Sequence, residues 1–414
     1  MILCCPVATV EQNMAARTFA SLAIPDFRNL WLGNVLVFMA TSIRMVASGY
    51  LAYDLTSSPI VLGVVNAGYA IPMLLMTPVG GALADRYDRR RLVQGAQLAF
   101  SATAGAIAFT ILTGTVAWWH LLVASAMQGA IWTSLVPARQ ALVPQIVGKP
   151  LMTNGLALMA SAFSASMLVG PAVGGAIYAW AGPGVAYLSV CLFGLAAVAL
   201  TGRVSPQGTA SPGEAKPSML EGTLEAIRYV SHHRAIKLLW IFAVGYALLA
   251  MPFRMILPIF VVDLYGRGPA GLGAMTSAIG LGSVVASLAV AGLPRGHRGI
   301  ILACGGLLAG ASLVLIAGFP VFAVGLAMMV AVGVADAVRK TLNQTLALEL
   351  SDPSMHGRVT SLFLLAFALV PLGSLPASAL AQWLGGRAAG AALGVGLLLM
   401  SLVVVGSRQI RSLR

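Results

Sequence analysis

The chain has 414 residues, of which 59% are hydrophobic and 9% charged, with a mean hydropathy of +0.90. A soluble domain carries about 25% charged residues, so the composition excludes a water-soluble fold and a soluble interaction module. The net charge of +13 suggests nucleic acid as a partner until the charges are located along the chain. Spans of about 20 apolar residues with short connectors divide this length into roughly twelve. Backbone groups inside lipid must be satisfied within each segment, which makes the spans helices. The 46 glycines and 21 prolines suit transmembrane helices better than soluble ones.

Residues 1–28 read as a cytoplasmic tail. Met1–Val10 is apolar, lacks a basic region and is followed by Glu11, unlike a secretory signal, and Met14 is an alternative start. The first span covers 30–53, entered through Phe27-Arg28-Asn29-Leu30-Trp31 at the interface, and contains Asn34 and Arg44. The second covers 60–84 and ends in a knot of charge. The third and fourth cover 92–113 and 116–135, with Trp118 and Trp119 as interfacial anchors. Residues 138–145 read as a cytoplasmic connector, and the fifth and sixth spans cover 151–180 and 185–200.

Residues 203–234 form the one long polar segment, a loop with one amphipathic helix over 219–229. Six more spans follow, at 235–262, 271–293, 300–318, 320–346, 359–384 and 388–406, and 407–414 is a second cytoplasmic tail. The chain therefore divides into two halves, 29–202 and 235–406. Trp31, Arg44, Asp54, Pro59 and Gly63 recur at an offset of about 210 as Trp240, Arg254, Asp263, Pro269 and Gly273, and Gln140-Ala141-Leu142 has a looser echo in Gln344-Thr345-Leu346. The expected fold is an all-α membrane protein of twelve transmembrane helices in two pseudo-symmetric six-helix bundles. A parallel repeat of this kind is a transporter architecture with substrate at the interface of the halves.

Of the 25 Lys and Arg, only Arg267 and Arg387 fall on the side opposite the linker, and Arg44, Arg254, Arg339 and Lys340 fall within spans. The rest share one side, which places both termini in the cytoplasm. The basic balance thus reports topology and requires no nucleic acid. Cys4, Cys5, Cys191 and Cys304 show neither metal spacing nor a disulfide framework. The five histidines, His120, His232, His233, His297 and His356, lack acid or cysteine partners at ligand spacing, and no phosphate-cradling loop with Lys is present. No metal, no cofactor and no enzymatic activity are expected.

The knot itself reads Gly80-Gly81-Ala82-Leu83-Ala84-Asp85-Arg86-Tyr87-Asp88-Arg89-Arg90-Arg91-Leu92. Such charge density belongs outside hydrocarbon, while the small residues before it allow close helix approach. The stretch resembles the loop between the second and third spans of the major facilitator superfamily, written G-x-L-A-D-R-x-G-R-R-x-x-L. Gly81, Leu83, Ala84, Asp85, Arg86, Arg89, Arg90 and Leu92 match, with small shifts of spacing, and Asp88 replaces a glycine. That replacement, with Ile43-Arg44-Met45-Val46-Ala47, Leu55-Thr56-Ser57-Ser58-Pro59 and Pro137-Ala138-Arg139, is similar to a bacterial branch containing enterobactin-type siderophore exporters and macrolide efflux proteins. The resemblance extends over nearly the whole chain. It implies that Gly81, Asp85, Arg86, Arg89 and Arg90 act as a conformational gate, the aspartate meeting the start of the eleventh span near residues 354–358. Gly170-Pro171-Ala172-Val173-Gly174-Gly175 matches the core of a motif associated with antiporters, with Ser166 where a glycine is expected. Gly170, Pro171, Gly174 and Gly175 then supply either a coupling element or close packing. The second-half counterpart of the knot, residues 294–298, has lost its aspartate.

Arg44 lies about 21 Å into its span at 1.5 Å per residue, and Arg254 occupies the matching place in the seventh. A charge in hydrocarbon costs at least about 2.5 kcal/mol, so two readings stand: both snorkel to headgroups, or both line a substrate cavity with Asn34. Asp336 is the one acid well inside a span, with Arg339 and Lys340 at ion-pair spacing. It is either a neutralised pair at the inner mouth or a proton-coupling acid. Together these features describe a monomeric secondary transporter of a bacterial inner membrane, with a small-molecule substrate, a proton as coupling ion and the bilayer as its partners. Branch resemblance favours export of a siderophore-like or other anionic or neutral amphipathic molecule. A broad multidrug or macrolide-type pump is the alternative, and a lipid-handling membrane protein is a further one.

Overall fold

The computed structural model describes residues 18–205, 219–291, 296–368, 370–407 and 409, and side chains other than those at 78, 81, 82, 84–86, 219–224, 291, 354, 364–368, 371 and 372. The described residues are almost entirely helical. Pro25–Thr56 forms α1, Pro59–Arg86 α2 and Arg89–Leu112 α3. Trp118–Gly202 is hydrogen-bonded as one 85-residue stretch, but Gly148 (φ 72°) and Gly182 (φ 83°) break it. Positive φ is readily adopted only by glycine, so these two residues divide the stretch into α4 (118–147), α5 (149–181) and α6 (183–202). In the second half, Arg234–Leu264 is α7, Pro269–Ala291 α8, Arg298–Gly318 α9 and Phe322–Glu349 α10. His356–Ala368 and Val370–Leu384 make up α11, and Gly386–Gly406 is α12.

Nine described helices are long and apolar enough to cross a membrane. Counting the 85-residue stretch as three and adding α11 gives the twelve expected spans. Local chemistry sets their ends. Ser57 closes α1 in the left-handed conformation (φ 49°), Ser58 caps α2 by accepting from the Val61 N–H, and Pro59 occupies the first turn. Asp88, the residue that departs from the expected glycine, caps α3 by accepting from the Arg91 N–H at 2.8 Å.

The largest departure from the sequence expectation lies between the fourth and fifth spans. Residues 138–145 are not a connector: α4 continues through Pro137 and Pro144 and ends only at Gly148. Proline is tolerated in a helix surrounded by other helices, whereas a glycine at positive φ ends it. Arg139 is thereby carried into the bundle, where it is 7% exposed. The amphipathic linker helix runs slightly longer than expected, over Met219–His232, and packs Ala226 and Val230 against the second half.

Pseudo-symmetry reaches individual hydrogen bonds. The Trp31 indole donates to the Leu158 carbonyl on α5 at 2.9 Å, and the Trp240 indole donates to the Leu362 carbonyl on α11 at 3.2 Å. Both tryptophans tie the first helix of a half to its fifth.

The buried apolar side chains show how the halves meet. At the end opposite the linker, one cluster spans both, joining Leu51 and Tyr53 of α1 to Phe253, Leu257 and Phe260 of α7. Toward the linker end the cores separate, with Phe27, Leu142 and Leu158 in the first half and Leu239, Leu342 and Leu362 in the second. The far-end seam has two main contacts, α2 against the outer part of α11 and α5 against α8.

Candidate functional site

Polar ties reinforce this seam. Tyr53 donates to Asp263 Oδ2 at 2.5 Å, and Ser58 Oγ lies 3.2 Å from Gln382 Oε1. At greater depth, Asn66 donates to the Met255 carbonyl at 3.4 Å and Ser374 to the Gly63 carbonyl at 3.3 Å. Asp263 sits on a single π-helical turn, Phe260–Leu264, at the end of α7. Tyr53 and Asp263 were not singled out by the sequence as partners. The signal available was the recurrence of Asp54 as Asp263 next to a connector in both halves.

The antiporter-like motif lies on the same seam. A Cβ on Gly170 would stand 2.5 Å from Ser42 Cβ, and one on Gly174 would stand 2.7 Å from Ile43 Cα, both on α1. A Cβ on Gly175 would meet the Pro269 carbonyl oxygen of α8 at 2.5 Å. Beside Pro171, the Ala172 N–H donates to Ser277 Oγ of α8 at 2.9 Å. The motif therefore packs α5 simultaneously on its own half and on the other.

In the gate motif, the side chains of Gly81, Asp85 and Arg86 lie outside the described residues, as does Ser354. Arg90 donates to the Gly202 carbonyl at 2.6 Å, satisfying the end of α6, and Arg89 reaches the Ala141 carbonyl of α4 at 3.5 Å. Both arginines thus hold the first half together. At the start of α11, Arg358 pairs with Glu225 of the linker helix at 2.7 Å.

Inside the spans the two halves handle charge differently. In the second half, Asp336 accepts from Arg339 at 2.9 Å and lies 3.7 Å from Arg254, so one carboxylate serves two guanidinium groups. The Asp336 and Arg339 side chains are 16% and 11% exposed, and that of Arg254 is 35%. Arg339 also lies 4.5 Å above the Tyr246 ring. The sequence anticipated the pairing of Asp336 with Arg339; the bridge to Arg254, from α10 to α7, it did not.

The first half has cations without acids. Arg44 is half-buried beside Tyr69 and Tyr187, its Nε buried without a hydrogen-bond partner among the described residues. Arg139 donates to Asn34 Oδ1, and its guanidinium lies 4.5 Å above Phe38 and 5.8 Å from the Trp132 ring. Asn34 places its amide nitrogen 2.7 Å from Met159 Sδ. Among the described residues no carboxylate comes within 4 Å of either arginine. Asn34, expected beside Arg44 and Arg254 as a cavity-lining residue, is buried and bonded to Arg139, a residue that the sequence assigned to a connector.

Two pseudo-symmetric six-helix bundles, joined at one end and carrying arginines within their helices, define a membrane transporter of small molecules, not an enzyme. The family model described as the Major Facilitator Superfamily matches residues 30–372, and the chain belongs to that family. It is similar to macrolide efflux protein A of Streptococcus pyogenes, 21% identical over 367 residues that cover 87% of this chain and 90% of the relative. It is also similar to the multidrug efflux pump Tap of Mycobacterium tuberculosis, 26% identical over 398 residues and 90% of each chain. Among solved structures, the nucleoside transporter NupG superposes with a TM-score of 0.78 at 11% identity, covering 92% of this chain and 98% of that one. At that identity the likeness speaks for the fold.

Proposed function

We propose that this transporter is a proton-coupled exporter of anionic or neutral amphipathic molecules, working by alternating access between its halves. The observation that carries the substrate class is the charge imbalance within the spans: Asp336 pairs with Arg254 and Arg339, and no described carboxylate pairs with Arg44 or Arg139. A charge so placed is kept in a membrane protein when it meets a partner or a watered path, and an anionic solute supplies the missing partner. Export is favoured by the names of the two efflux relatives, and the coupling role is assigned to Asp336, the acid that Arg254 and Arg339 share.

The joined far end and separated linker-end cores fit a resting form open toward the linker. On this reading the linker and both tails are cytoplasmic, the membrane is the bacterial inner one, and the protein works as a monomer. Gly81, Asp85, Arg86, Arg89 and Arg90 act in the gate at the linker end. Gly170, Pro171, Gly174 and Gly175 form the hinge surface of the opposite seam.

A broad macrolide or multidrug pump is the second reading, favoured by the same two relatives. It predicts a cavity tolerant of cations and indifferent to the arginines. Transport assays of Arg44→Ala and Arg254→Ala separate the two: the anion reading expects loss of export of a carboxylate substrate, and unchanged export contradicts it.

A further inference from the structure

The repeat aligns two registers on the fourth helix of each half. Arg139 immediately precedes Gln140-Ala141-Leu142, as Asn343 precedes Gln344-Thr345-Leu346, and Trp132 stands the same distance upstream of Arg139 as Asp336 does of Asn343. The exchange is complementary. The second half has an acid where the first has a tryptophan, and the first has an arginine where the second has an asparagine.

Both halves place a guanidinium of the fourth helix 4.5 Å above an aromatic ring of the first, Arg139 on Phe38 and Arg339 on Tyr246. Arg339 has Asp336. Among the described residues Arg139 has only the neutral carbonyl oxygen of Asn34 and the Phe38 and Trp132 rings beside it, although it is 7% exposed. Asn343, in the place of Arg139, donates to the Leu239 carbonyl of α7 at 3.3 Å and needs no counter-charge. A guanidinium has five N–H donors in a planar fork that matches a carboxylate, and leaving such a charge buried without an anion is costly.

We infer that Arg139, Asn34 and Trp132 form an anion subsite of the transport path, in which the carboxylate or similar oxyanion of the solute takes the place beside Arg139 that Asp336 takes beside Arg339. Trp132 provides a flat apolar wall for the adjoining part of the solute. This inference rests on the anion reading above and locates it. The recognised class is an aromatic or otherwise planar carboxylate, bound by the half whose buried arginine has no carboxylate beside it among the described residues.

The test compares equilibrium binding of 1-naphthoate and its uncharged analogue 1-naphthamide to the full-length protein in lipid nanodiscs. Wild-type protein is expected to prefer the carboxylate about tenfold, the effect of one charged hydrogen-bonded contact. Asn34→Asp is nearly isosteric and sets a carboxylate directly on Arg139. It should reduce the preference to within about twofold while the melting temperature stays at or above the wild-type value, since the buried cation gains a partner. Arg139→Gln should lose the same preference, whereas a role in packing alone would lower its melting temperature and leave Asn34→Asp as selective as wild type. A preference that survives Asn34→Asp but disappears in Arg254→Ala overturns this site and leaves the anion reading standing. Wild-type protein that fails to prefer 1-naphthoate, by binding both probes equally or neither, overturns that reading and this inference with it.

Discussion

The two halves share a fold and a recurring residue pattern, yet they resolve the same electrostatic problem in opposite ways. Each carries arginines within its helices. The second half neutralises its pair internally through Asp336, while the first leaves Arg44 and Arg139 with phenols, aromatic faces and an asparagine. Arg44 and Arg254 recur at matching places, whereas Arg139 has Asn343 as its counterpart and Asp336 has Trp132, so the difference in charge balance between the halves lies on their fourth helices. On the function proposed above, the neutralised half carries the proton-coupling acid and the unneutralised half holds the anion.

The comparison is broken most severely by Asp336→Ala. Removing the shared acid strands two guanidinium groups and should cost about 3 kcal/mol of stability, read as a large fall in melting temperature in detergent and as loss of transport. Deleting the cation of the first half by Arg44→Ala removes no ion pair, so its effect on melting should be much smaller. If the two substitutions destabilise the protein equally, the halves do not differ as described.

Gly175→Val attacks the seam instead of the charges. Its side chain would overlap the Pro269 carbonyl, an overpacking cost of about 1–3 kcal/mol borne only while α5 and α8 are joined. Spin labels at Thr115 and Phe319, in far-end connectors of the two halves, should report a wider distance in this variant. An unchanged distance distribution would show that the contact is not what holds the far end closed. Tyr53→Phe removes the hydrogen bond to Asp263 alone and should shift the same distribution in the same direction by about 1 kcal/mol. The smallest effect sharpens the symmetry. Trp31→Phe and Trp240→Phe each remove one indole donor from equivalent struts, so their stability losses should agree within about 0.5 kcal/mol, each near 1 kcal/mol. A gap larger than 1 kcal/mol would mean that the struts are equivalent in geometry only.

Spans, linker and repeat were legible in the sequence because lipid imposes a strong rule: apolar runs of sufficient length must be helices. The same rule hid Arg139. Pro137, Pro144, Gln140 and Gln145 read locally as a polar, proline-punctuated connector, and only the surrounding helices show that α4 continues through them. The ion pair between Asp336 and Arg339 was readable because it is local, three residues apart on one helix. The bridge to Arg254 and the tie from Tyr53 to Asp263 join residues distant in sequence, and no spacing rule announces them. The antiporter-like glycines were recognised as a motif, but their double role against α1 and α8 depends on which faces of α5 those helices occupy.

The central claim is that unneutralised cations of the first half select an anionic solute whose export is linked to proton entry. Everted membrane vesicles carrying this protein, energised to a stable proton gradient, test it directly against 1-naphthoate, a macrolide and a lipophilic cation. The account predicts that 1-naphthoate dissipates the gradient and that Arg44→Ala abolishes the response. Dissipation by the macrolide and the cation, undiminished in Arg44→Ala, would contradict it.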